Sequence, residues 1–319
     1  DSVLAVDLAT GKLVWGFQAI PHPLGDFDCS WNVVLANVTI SGTPTPVVFK
    51  GCKNGYIFAL DARDGSMLWY LRPPSVAYEN VVTLDPTNAT QMMRVNWGGY
   101  PSLGKIRQNP SDTGALESDL AYDPTTNMLF AATYNSPKIF KLTDVGPTNP
   151  FNSTRWLYDW GVNVYSIESM SPVNSTVSAI NGASGAIRWS YAIPNLPYRG
   201  GLLVSGGVVY ASTIDGMLWF ISEANGDLIG QRNIGGSLLA QPSIGQDRNG
   251  VEMLFLTDMG SSRWGPVFPG FIQALAPTQS PAPTIPPIFE VVFASVVVAS
   301  AVILGAITLI VRRRSRTRG

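Results

Sequence analysis

Two carboxylates and one lysine are the side chains in this sequence best placed to do chemistry. Asp26 and Asp28 lie two positions apart, and in an extended segment residues i and i+2 point to the same face. Two carboxylates on one face repel each other, so either the pKa of one rises or a cation sits between them. Downstream, Lys53 and Asn54 place a cation just before a turn at Gly55. The pattern indicates proton transfer or cation binding. A pair of solvated turn carboxylates and an exposed turn lysine is the alternative.

The remaining reactive residue types offer less. His22 is the single histidine and stands between two prolines, which favours a structural turn residue over a ligand. The sequence shows no Ser-His-Asp arrangement and no Gly-rich phosphate loop. Cys29 and Cys52 are 23 positions apart, too far for a Cys-x-x-Cys metal or redox motif. We expect them to form a disulfide, with two buried free thiols as the alternative.

Short strands joined by repeated turns must hold these residues. A phrase made of an apolar strand, an Asp or Asn, a turn with glycine and a second strand with Trp recurs at Gly11, Gly65 and Gly185, with a degenerate copy at Gly226. Glycine in the left-handed position suits such a turn. A further turn of related shape ends at Asn127. We expect the Trp side chains to dock one repeat on the next rather than to contact a substrate.

The spacing of these glycines predicts a repeat of about 40 residues with four short strands, the signature of a β-propeller. The intervals are 54, 120 and 41 residues, and 120 is close to three of the shorter units. We therefore predict an all-β fold, a partial β-propeller of roughly six blades over residues 1–276. An incomplete ring exposes two sheet edges, so further chain or a partner is expected to close it.

The C-terminal end has the composition of a membrane anchor. Residues 277–287 are rich in Pro and Thr and predict an extended stalk. Residues 288–311 form an apolar run that matches the ~20 residues needed to cross a bilayer as a helix, although a buried core helix is the alternative. The arginines of residues 312–319 would stay on the cytoplasmic side. We predict a single-pass cell-membrane protein with its N-terminal domain outside and its C-terminus in the cytoplasm.

Composition narrows the partners. The net charge of −1 and the pI of 5.9 predict no nucleic-acid surface. Asn-x-Ser/Thr motifs agree with a location outside the cell; they begin at Asn37, Asn88, Asn152 and Asn174. The sequence has no Cys-x-x-Cys-His haem motif, so electrons from a redox reaction would leave to a separate carrier. Because the sequence begins inside a patterned strand, we expect that N-terminal blades are missing.

The stretch from Asp7 to Asp28 resembles the catalytic segment of the quinoprotein alcohol and methanol dehydrogenases. It carries a strand, a Thr-Gly-Lys turn, Trp and Gln, then Pro-His and Asp-Phe-Asp. Residues 53–61 and 200–216 are similar to later blades of that family. The family binds pyrroloquinoline quinone (PQQ) and a metal ion on the axis of an eight-bladed propeller. The resemblance implies that this chain is the C-terminal part of such a propeller, followed by one transmembrane helix.

The resemblance also implies a role for each candidate residue. Asp26 matches the catalytic base, and Asp28 matches the extra carboxylate that lanthanide-using members place beside the metal. Lys53 matches the Lys or Arg that hydrogen-bonds the quinone oxygens, with Asn54 as a second cofactor-binding residue. These matches imply oxidation of an alcohol by hydride transfer to PQQ, with calcium or a lanthanide as Lewis acid. A non-catalytic, membrane-anchored propeller that acts as a binding scaffold is the competing hypothesis.

The sequence departs from the family pattern in several places. The family's other metal ligands, a Glu and an Asn, and its adjacent-cysteine ring precede the catalytic Asp, whereas only 25 residues precede Asp26 here. The family's Asn-Trp-Pro phrase is not recognisable around Glu117 and Asp119. The resemblance therefore leaves half of the expected site outside this sequence, and the substrate alcohol unassigned.

Overall fold

The computed structural model of this protein is built from strands and turns. Among the residues it describes there is no helix, and hence none that could cross a membrane, so the predicted all-β fold is confirmed for this part of the chain. Asp1–Leu275 form one compact unit. Asp26, the predicted stalk, the predicted transmembrane segment and the basic tail lie outside the described residues. The structure describes residues 1–21, 27–74, 76, 82–94, 105–108, 115–144, 162–169, 174–194, 198–258 and 270–276.

The strands are short and pair only in antiparallel fashion. In chain order they are β1 (Ser2–Val6), β2 (Leu13–Gln18), β3 (Val33–Ile40), β4 (Thr43–Gly51), β5 (Ile57–Asp61), β6 (Met67–Leu71), β7 (Val82–Asp85), β8 (Asn88–Arg94), β9 (Lys105–Gln108), β10 (Ala121–Asp123), β11 (Met128–Asn135), β12 (Lys138–Asp144), β13 (Val162–Ser169), β14 (Asn174–Asn181), β15 (Ile187–Pro194), β16 (Leu202–Ser205), β17 (Val208–Ser212), β18 (Met217–Ser222), β19 (Leu228–Asn233), β20 (Ser243–Gln246), β21 (Glu252–Asp258) and β22 (Phe271–Leu275).

Five of the sheets have the form of propeller blades. The second blade is β3-β4-β5-β6, the third is β10-β11-β14-β15, and the fourth is β16-β17-β18-β19. The pair β1-β2 forms a first, partial blade, because its turn matches the turn between the third and fourth strands of the complete blades. The fifth blade has the three strands β20-β21-β22 among the described residues. We call the side of the first strand of each blade its inner edge.

The interval of 120 residues between Gly65 and Gly185 holds one blade instead of three, so the estimate of roughly six blades is wrong for the described residues. Part of the extra length forms the hairpin β7-β8, and part extends the central hairpin of the third blade, where β12 and β13 continue the pairing of β11 with β14. Asn127, with a φ of 58°, closes the turn between the first two strands of that blade. The spacing misled because a hairpin can lengthen without changing its turn residues.

The repeated phrase makes the same turn in every copy. The turn glycines have φ angles between 67° and 79°, as expected for the left-handed position. The strand ladder shifts register just before each of these turns, at corresponding positions of the copies. In each copy the glycine N–H donates to the carbonyl of the residue four positions earlier: Gly11 to Asp7 (2.8 Å), Gly65 to Asp61 (2.8 Å), Gly185 to Asn181 (2.9 Å) and Gly226 to Ser222 (2.9 Å).

Each Trp of the phrase docks on the following blade, as predicted. The indole N–H of Trp15 donates to the carbonyl of Ala62 at 3.0 Å, and that of Trp69 donates to Gly182 at 2.9 Å. The indole N–H of Trp189 donates to the backbone carbonyl of Glu223 at 2.8 Å. Each ring also covers the next turn glycine so closely that an added Cβ would lie 2.5, 2.8 or 2.7 Å from a ring carbon, at Gly65, Gly185 and Gly226 respectively.

The apolar core lies in these seams between blades. Phe58 and Leu60 of the second blade pack with Trp15 in the first seam. The side chain of Phe130 contributes to the seam between the third and fourth blades, together with Ile221. The seam between the fourth and fifth blades lacks the Trp, and its buried hydrophobic residues are aliphatic, namely Leu218, Ile234, Leu238 and Leu256.

The Trp–Gly contact can be tested with a matched pair of glycines. Gly226 and Gly250 have φ angles of 79° and 78°, but an added Cβ meets Trp189 at the first and open space at the second. Gly250→Ala should cost about 1 kcal/mol of unfolding free energy through the left-handed backbone alone. Gly226→Ala should cost a further ~1–3 kcal/mol, because the methyl group overpacks the seam. Urea denaturation measures both, and equal losses would contradict the docking account.

The seam between the third and fourth blades also holds a pair of carboxyl groups. Glu223 is buried, and the hydroxyl of Thr126 donates to it at 2.6 Å. The equivalent positions of the preceding blades are Ala62 and Gly182. Burial, together with repulsion from Asp123, raises the pKa of Glu223 above its usual 4.5, although the Thr126 hydrogen bond opposes this. The seam therefore shifts the titration of Glu223 to a higher pH than that of an exposed glutamate.

The raised pKa of Glu223 makes stability depend on pH in a defined direction. Because its pKa is raised in the folded state, its contribution is fully present below the ordinary value and is lost as pH rises through the raised value. In urea denaturation from pH 4 to 8, Glu223→Gln should flatten a decline that the unmodified protein shows toward the higher pH. Glu252→Gln, at an exposed position on β21, serves as the control and should leave the decline in place.

Candidate functional site

The structure brings Asp28 and Lys53 into contact. The Nζ atom of Lys53 lies 3.0 Å from Oδ1 of Asp28, and the backbone N–H of Lys53 donates to the carbonyl of Asp28 at 3.0 Å. Asp28 belongs to the segment that leads into β3, and Lys53 lies in the turn between β4 and β5. Asp26 lies outside the described residues, so its distance to the pair is not stated. The roles of these residues stay predictions.

The expected disulfide between Cys29 and Cys52 is present. Cys29 directly follows Asp28 and Cys52 directly precedes Lys53, so the covalent link joins the two halves of the ion pair at adjacent positions. It closes a loop with a sequence separation of 23 residues, which contains β3 and β4. The Asp28–Lys53 contact is thus held by a covalent bond and a backbone hydrogen bond.

Two further charged residues, which sequence reasoning did not select, contact this pair or each other. Glu117 Oε1 lies 3.3 Å from the Nζ atom of Lys53. The guanidinium of Arg199 contacts the other carboxylate oxygen of Glu117. We call Asp28, Lys53, Glu117 and Arg199 the inner cluster, because three of them precede the first strand of their blade and Lys53 contacts two of those three. The alternation of acid and base balances two negative charges with two positive ones.

Burial differs across the inner cluster. The side chains of Lys53 and Glu117 are 10% and 6% exposed, and that of Arg199 is 18% exposed. Asp28 is 43% exposed. Buried charges are tolerated when they are paired, so the mutual contacts explain how Lys53 and Glu117 remain away from water. Among the described charges, Asp28 is the member of the cluster that solvent or a bound ion reaches most easily.

Backbone hydrogen bonds between blades hold the segments that carry the inner cluster. The carbonyl of Lys53 accepts the N–H of Ala115 at 2.6 Å, two residues before Glu117. The carbonyl of Asp119 accepts the N–H of Leu202 at 3.2 Å, three residues after Arg199. Because these bonds run across the seams, the positions of the four side chains are fixed by the approach of the blades.

Asn54 offers a polar group with unused capacity. It is fully buried, and its Oδ1 accepts the backbone N–H of Tyr56 at 3.2 Å. Its Nδ2 has no hydrogen-bond partner among the described residues. A buried amide donor without an acceptor is costly, so a bound oxygen atom at this place would relieve the cost. Asn54 and Lys53 therefore fit a ligand that carries oxygen acceptors.

A second buried lysine lies near the site. Lys50 is 2% exposed, and its ammonium group donates to the carbonyls of Trp31 and, at 3.2 Å, of Asn32. Burial lowers the pKa of Lys50 to about 8, against the attraction of Asp119 and Asp28, which raises it. Lys50 faces the seam with the first blade, in a cavity of about 480 Å³ that β1 and β3 also line.

The donor types in the site suit a hard cation only in part. The described residues contain no group of three or more His, Cys, Asp or Glu side chains that could hold a metal ion. Asp28 supplies one carboxylate, the type of oxygen that calcium prefers. A metal ion here would need ligands in addition to the described residues.

Little in the sequence pointed to Glu117 and Arg199. Charged residues make up 13% of the chain, and neither residue repeats a position of the blade motif. Glu117 stands where the Asn-Trp-Pro phrase of the resembling family is unrecognisable. That departure marked a difference at this place but could not reveal its partner, 82 positions further along the chain.

Known proteins share this fold and part of this sequence. Residues 1–109 match the family model described as glucose/ethanol/alcohol dehydrogenase, beta-propeller domain. The chain is 25% identical over 268 residues to the quinohemoprotein alcohol dehydrogenase of Comamonas testosteroni, covering 76% of this chain and 34% of that protein. The chain thus spans about a third of the length of this relative. These findings support the resemblance to the quinoprotein alcohol dehydrogenases.

Solved structures agree on the fold. The crystal structure of the quinohemoprotein alcohol dehydrogenase from Comamonas testosteroni matches with a TM-score of 0.69 at 21% identity, over 88% of this chain and 43% of that one. A europium-containing methanol dehydrogenase matches with a TM-score of 0.65 at 18% identity, over 81% of this chain and 44% of that one. At these identities the likeness shows a shared propeller fold, and the activity of this chain has to be argued from its residues.

Removing the disulfide should loosen the site measurably. The disulfide closes a loop with a sequence separation of 23 residues. Replacing Cys29 and Cys52 by Ser opens this loop in the unfolded state, and should therefore lower the free energy of unfolding by about 3 kcal/mol. Urea denaturation with and without reductant measures the effect. The unmodified protein with reductant should match the double variant, which itself should not respond to reductant. A midpoint that does not move on reduction would show that the bond contributes nothing.

Proposed function

We propose that this chain is the C-terminal part of an extracytoplasmic quinoprotein dehydrogenase that oxidises an alcohol with PQQ and a calcium or lanthanide ion. The observation that carries the proposal is the contact of Lys53 with Asp28, in a turn that also holds the buried Asn54. The same residues are those that the family resemblance assigns to the cofactor and the metal. The relatives and the family model support the reaction class.

The described residues fit the quinone. Lys53 provides a buried ammonium group, and Asn54 provides a buried amide donor with no acceptor among the described residues. Both would hydrogen-bond oxygens of the quinone. The positive charge of Lys53 also favours an anionic ligand. Asp28, the most exposed member of the inner cluster, would turn one carboxylate oxygen to the metal ion.

The protein's part in the reaction is to bind, orient and move one proton. When bound, PQQ and the metal ion supply the hydride acceptor and the Lewis acid. Asp26 would accept the hydroxyl proton of the alcohol as its carbon gives up a hydride, which leaves an aldehyde or a ketone. Lys53 would hold its ammonium at the quinone oxygens and so stabilise the negative charge that develops there.

The location of the protein belongs to the same proposal. The apolar run of residues 288–311 and the arginines after it support a single membrane span with the propeller outside the cell. The disulfide of Cys29 and Cys52 suits an oxidising compartment. Electrons would then pass to a separate carrier, since the sequence holds no haem-attachment motif.

One observation favours a second function, a non-catalytic binding scaffold. Both cations of the inner cluster already have carboxylate partners, so neither is held in reserve for a ligand. A propeller with a self-neutralised centre could keep its framework and bind other partners through its outer surfaces. Cofactor titration separates the two functions, because only the dehydrogenase needs the quinone.

Cofactor binding is the first test. Titration of PQQ, with calcium or a lanthanide, into the intact protein should change the quinone absorption and quench Trp fluorescence. Lys53→Met should weaken PQQ at least tenfold, because a charge-assisted hydrogen bond is lost. Lys12→Met, at an exposed turn, is the control and should bind PQQ normally. No spectral change with the unmodified protein would favour the scaffold.

Dye-linked alcohol oxidation tests the proposed base. Asp26→Ala should lower kcat by about 10²–10⁴-fold, the usual contribution of a positioned general base, with PQQ still bound. Asp227→Asn, at an exposed turn of the fourth blade, should retain full activity. Turnover by Asp26→Ala at the rate of the control would remove Asp26 from the mechanism.

A further inference from the structure

The pair Glu117–Arg199 has no part in the chemistry assigned so far. Oε1 of Glu117 lies 3.3 Å from Nζ of Lys53, and the other carboxylate oxygen of Glu117 contacts the guanidinium of Arg199. At 6% exposure, the Glu117 side chain is far from free solvent, and removal of either cation would leave a buried charge less well compensated. The contact between Glu117 and Lys53 is therefore a constraint on where the ammonium group can lie.

We propose that Glu117 and Arg199 are positioning residues, with Arg199 fixing the Glu117 carboxylate and Glu117 fixing the Lys53 ammonium at the inner edge of the second blade. Among the described residues, two carboxylates contact Lys53, and they are not equivalent. Asp28 is 43% exposed, so its pull is screened by water and it is open to other ligands. Glu117 is buried and remains with Lys53 when Asp28 is engaged elsewhere.

Close packing gives Glu117 its fixed place. The preceding residue, Leu116, fills the space above Gly51, where an added Cβ would lie 2.5 Å from a Leu116 methyl carbon. The N–H of Ala115 donates to the carbonyl of Lys53 at 2.6 Å, so the segment before Glu117 is bonded directly to the lysine it serves. Because this hydrogen bond lies only two residues before Glu117, the Glu117 carboxylate has little freedom to move away from Lys53.

The segment of Arg199 is fixed just as closely. Gly200 follows it, and an added Cβ there would lie 2.1 Å from the carbonyl oxygen of Ser212. At Gly201 an added Cβ would lie 2.4 Å from Cβ of Gln241. Backbone packing against the fourth and fifth blades therefore aims Arg199 at Glu117. The chain of contacts runs from the fourth blade through the third to Lys53 in the second.

The relevance of this arrangement to catalysis rests on the proposed function, but the positioning itself does not. Reductive methylation with formaldehyde and a borane reductant, read out by peptide mass spectrometry, reports how freely each lysine amine reacts in the folded chain. Lys12 is exposed and provides the reference, and Lys50 is a second buried lysine in the blade of Lys53 that makes no contact with Glu117 in the described structure.

Glu117→Gln should raise the labelling rate of Lys53 roughly tenfold relative to Lys12, the factor that corresponds to about 1.4 kcal/mol of lost charge-assisted hydrogen bonding. Lys50 should stay slow. Arg199→Gln should raise Lys53 labelling as well, and the double variant should add nothing to Glu117→Gln. Exposed Glu252→Gln and Arg232→Gln are the matched controls and should change none of the three lysines.

Unchanged Lys53 labelling in Glu117→Gln would overturn the proposal. A joint rise of Lys53 and Lys50 would also overturn it, since it would show general loosening. If Glu117→Gln does not fold, Glu117→Asp keeps the charge but withdraws it from Lys53, and it should raise Lys53 labelling alone. An unmodified protein that fails to bind PQQ would contradict the proposed function and leave the labelling result on Lys53 unaffected.

In an active protein, Glu117→Gln should lower kcat and leave KM for the alcohol unchanged. A change confined to KM would contradict positioning through Lys53.

Discussion

The docking of one Trp on the glycine turn of the next blade is the contact on which the rest of the structure depends. It joins a large apolar surface to a hydrogen bond at a fixed point, so each of the three Trp seams has the same spacing and the same register. Glycine is required twice at these turns, once for the left-handed backbone and once because the indole leaves no room for a Cβ. A seam that closes in this way brings the inner edges of neighbouring blades together, where ion pairs and backbone hydrogen bonds then join them.

The approach of the inner edges creates an electrostatic problem that the inner cluster solves. Lys53 and Glu117 lose most of their hydration when the blades close, and they are tolerated because each is paired with groups of opposite charge. Arg199 and Asp28 then complete a row of alternating charges that becomes more exposed at the Asp28 end. The charges in the buried half of the row hold each other in place, whereas Asp28, in the exposed half, can exchange one partner for another. A site for an anionic cofactor and a cation would use this arrangement. The disulfide between Cys29 and Cys52 joins the segment that carries Asp28 to the turn that carries Lys53.

The seams are similar but not identical, and their differences carry chemical information. The second and third blades place Ala62 and Gly182 beneath the docking Trp, whereas the fourth blade places Glu223 there. The result is a buried carboxyl group whose pKa is raised by burial and by Asp123. The framework of a propeller tolerates such exchanges because the Trp hydrogen bond uses a backbone carbonyl, which any residue supplies. For the same reason the framework alone does not reveal function, and only side chains outside the repeated phrase can do so.

The all-β class, the turns at Gly11, Gly65, Gly185 and Gly226, and the docking role of the Trp residues could all be predicted before the structure was known. Each of these follows from local pattern: alternation, a glycine at a fixed offset, and one large ring per repeat. Local pattern also selected Asp28, Lys53 and the cysteine pair. It could not count the blades between Gly65 and Gly185, because the extended hairpin of β12 and β13 adds length without a new turn signature. Nor could it find Glu117 and Arg199, which become partners only when three blades close around the same inner edge. Tertiary structure decided that contact, because burial and charge pairing depend on which segments meet in space and leave no trace in their spacing along the chain.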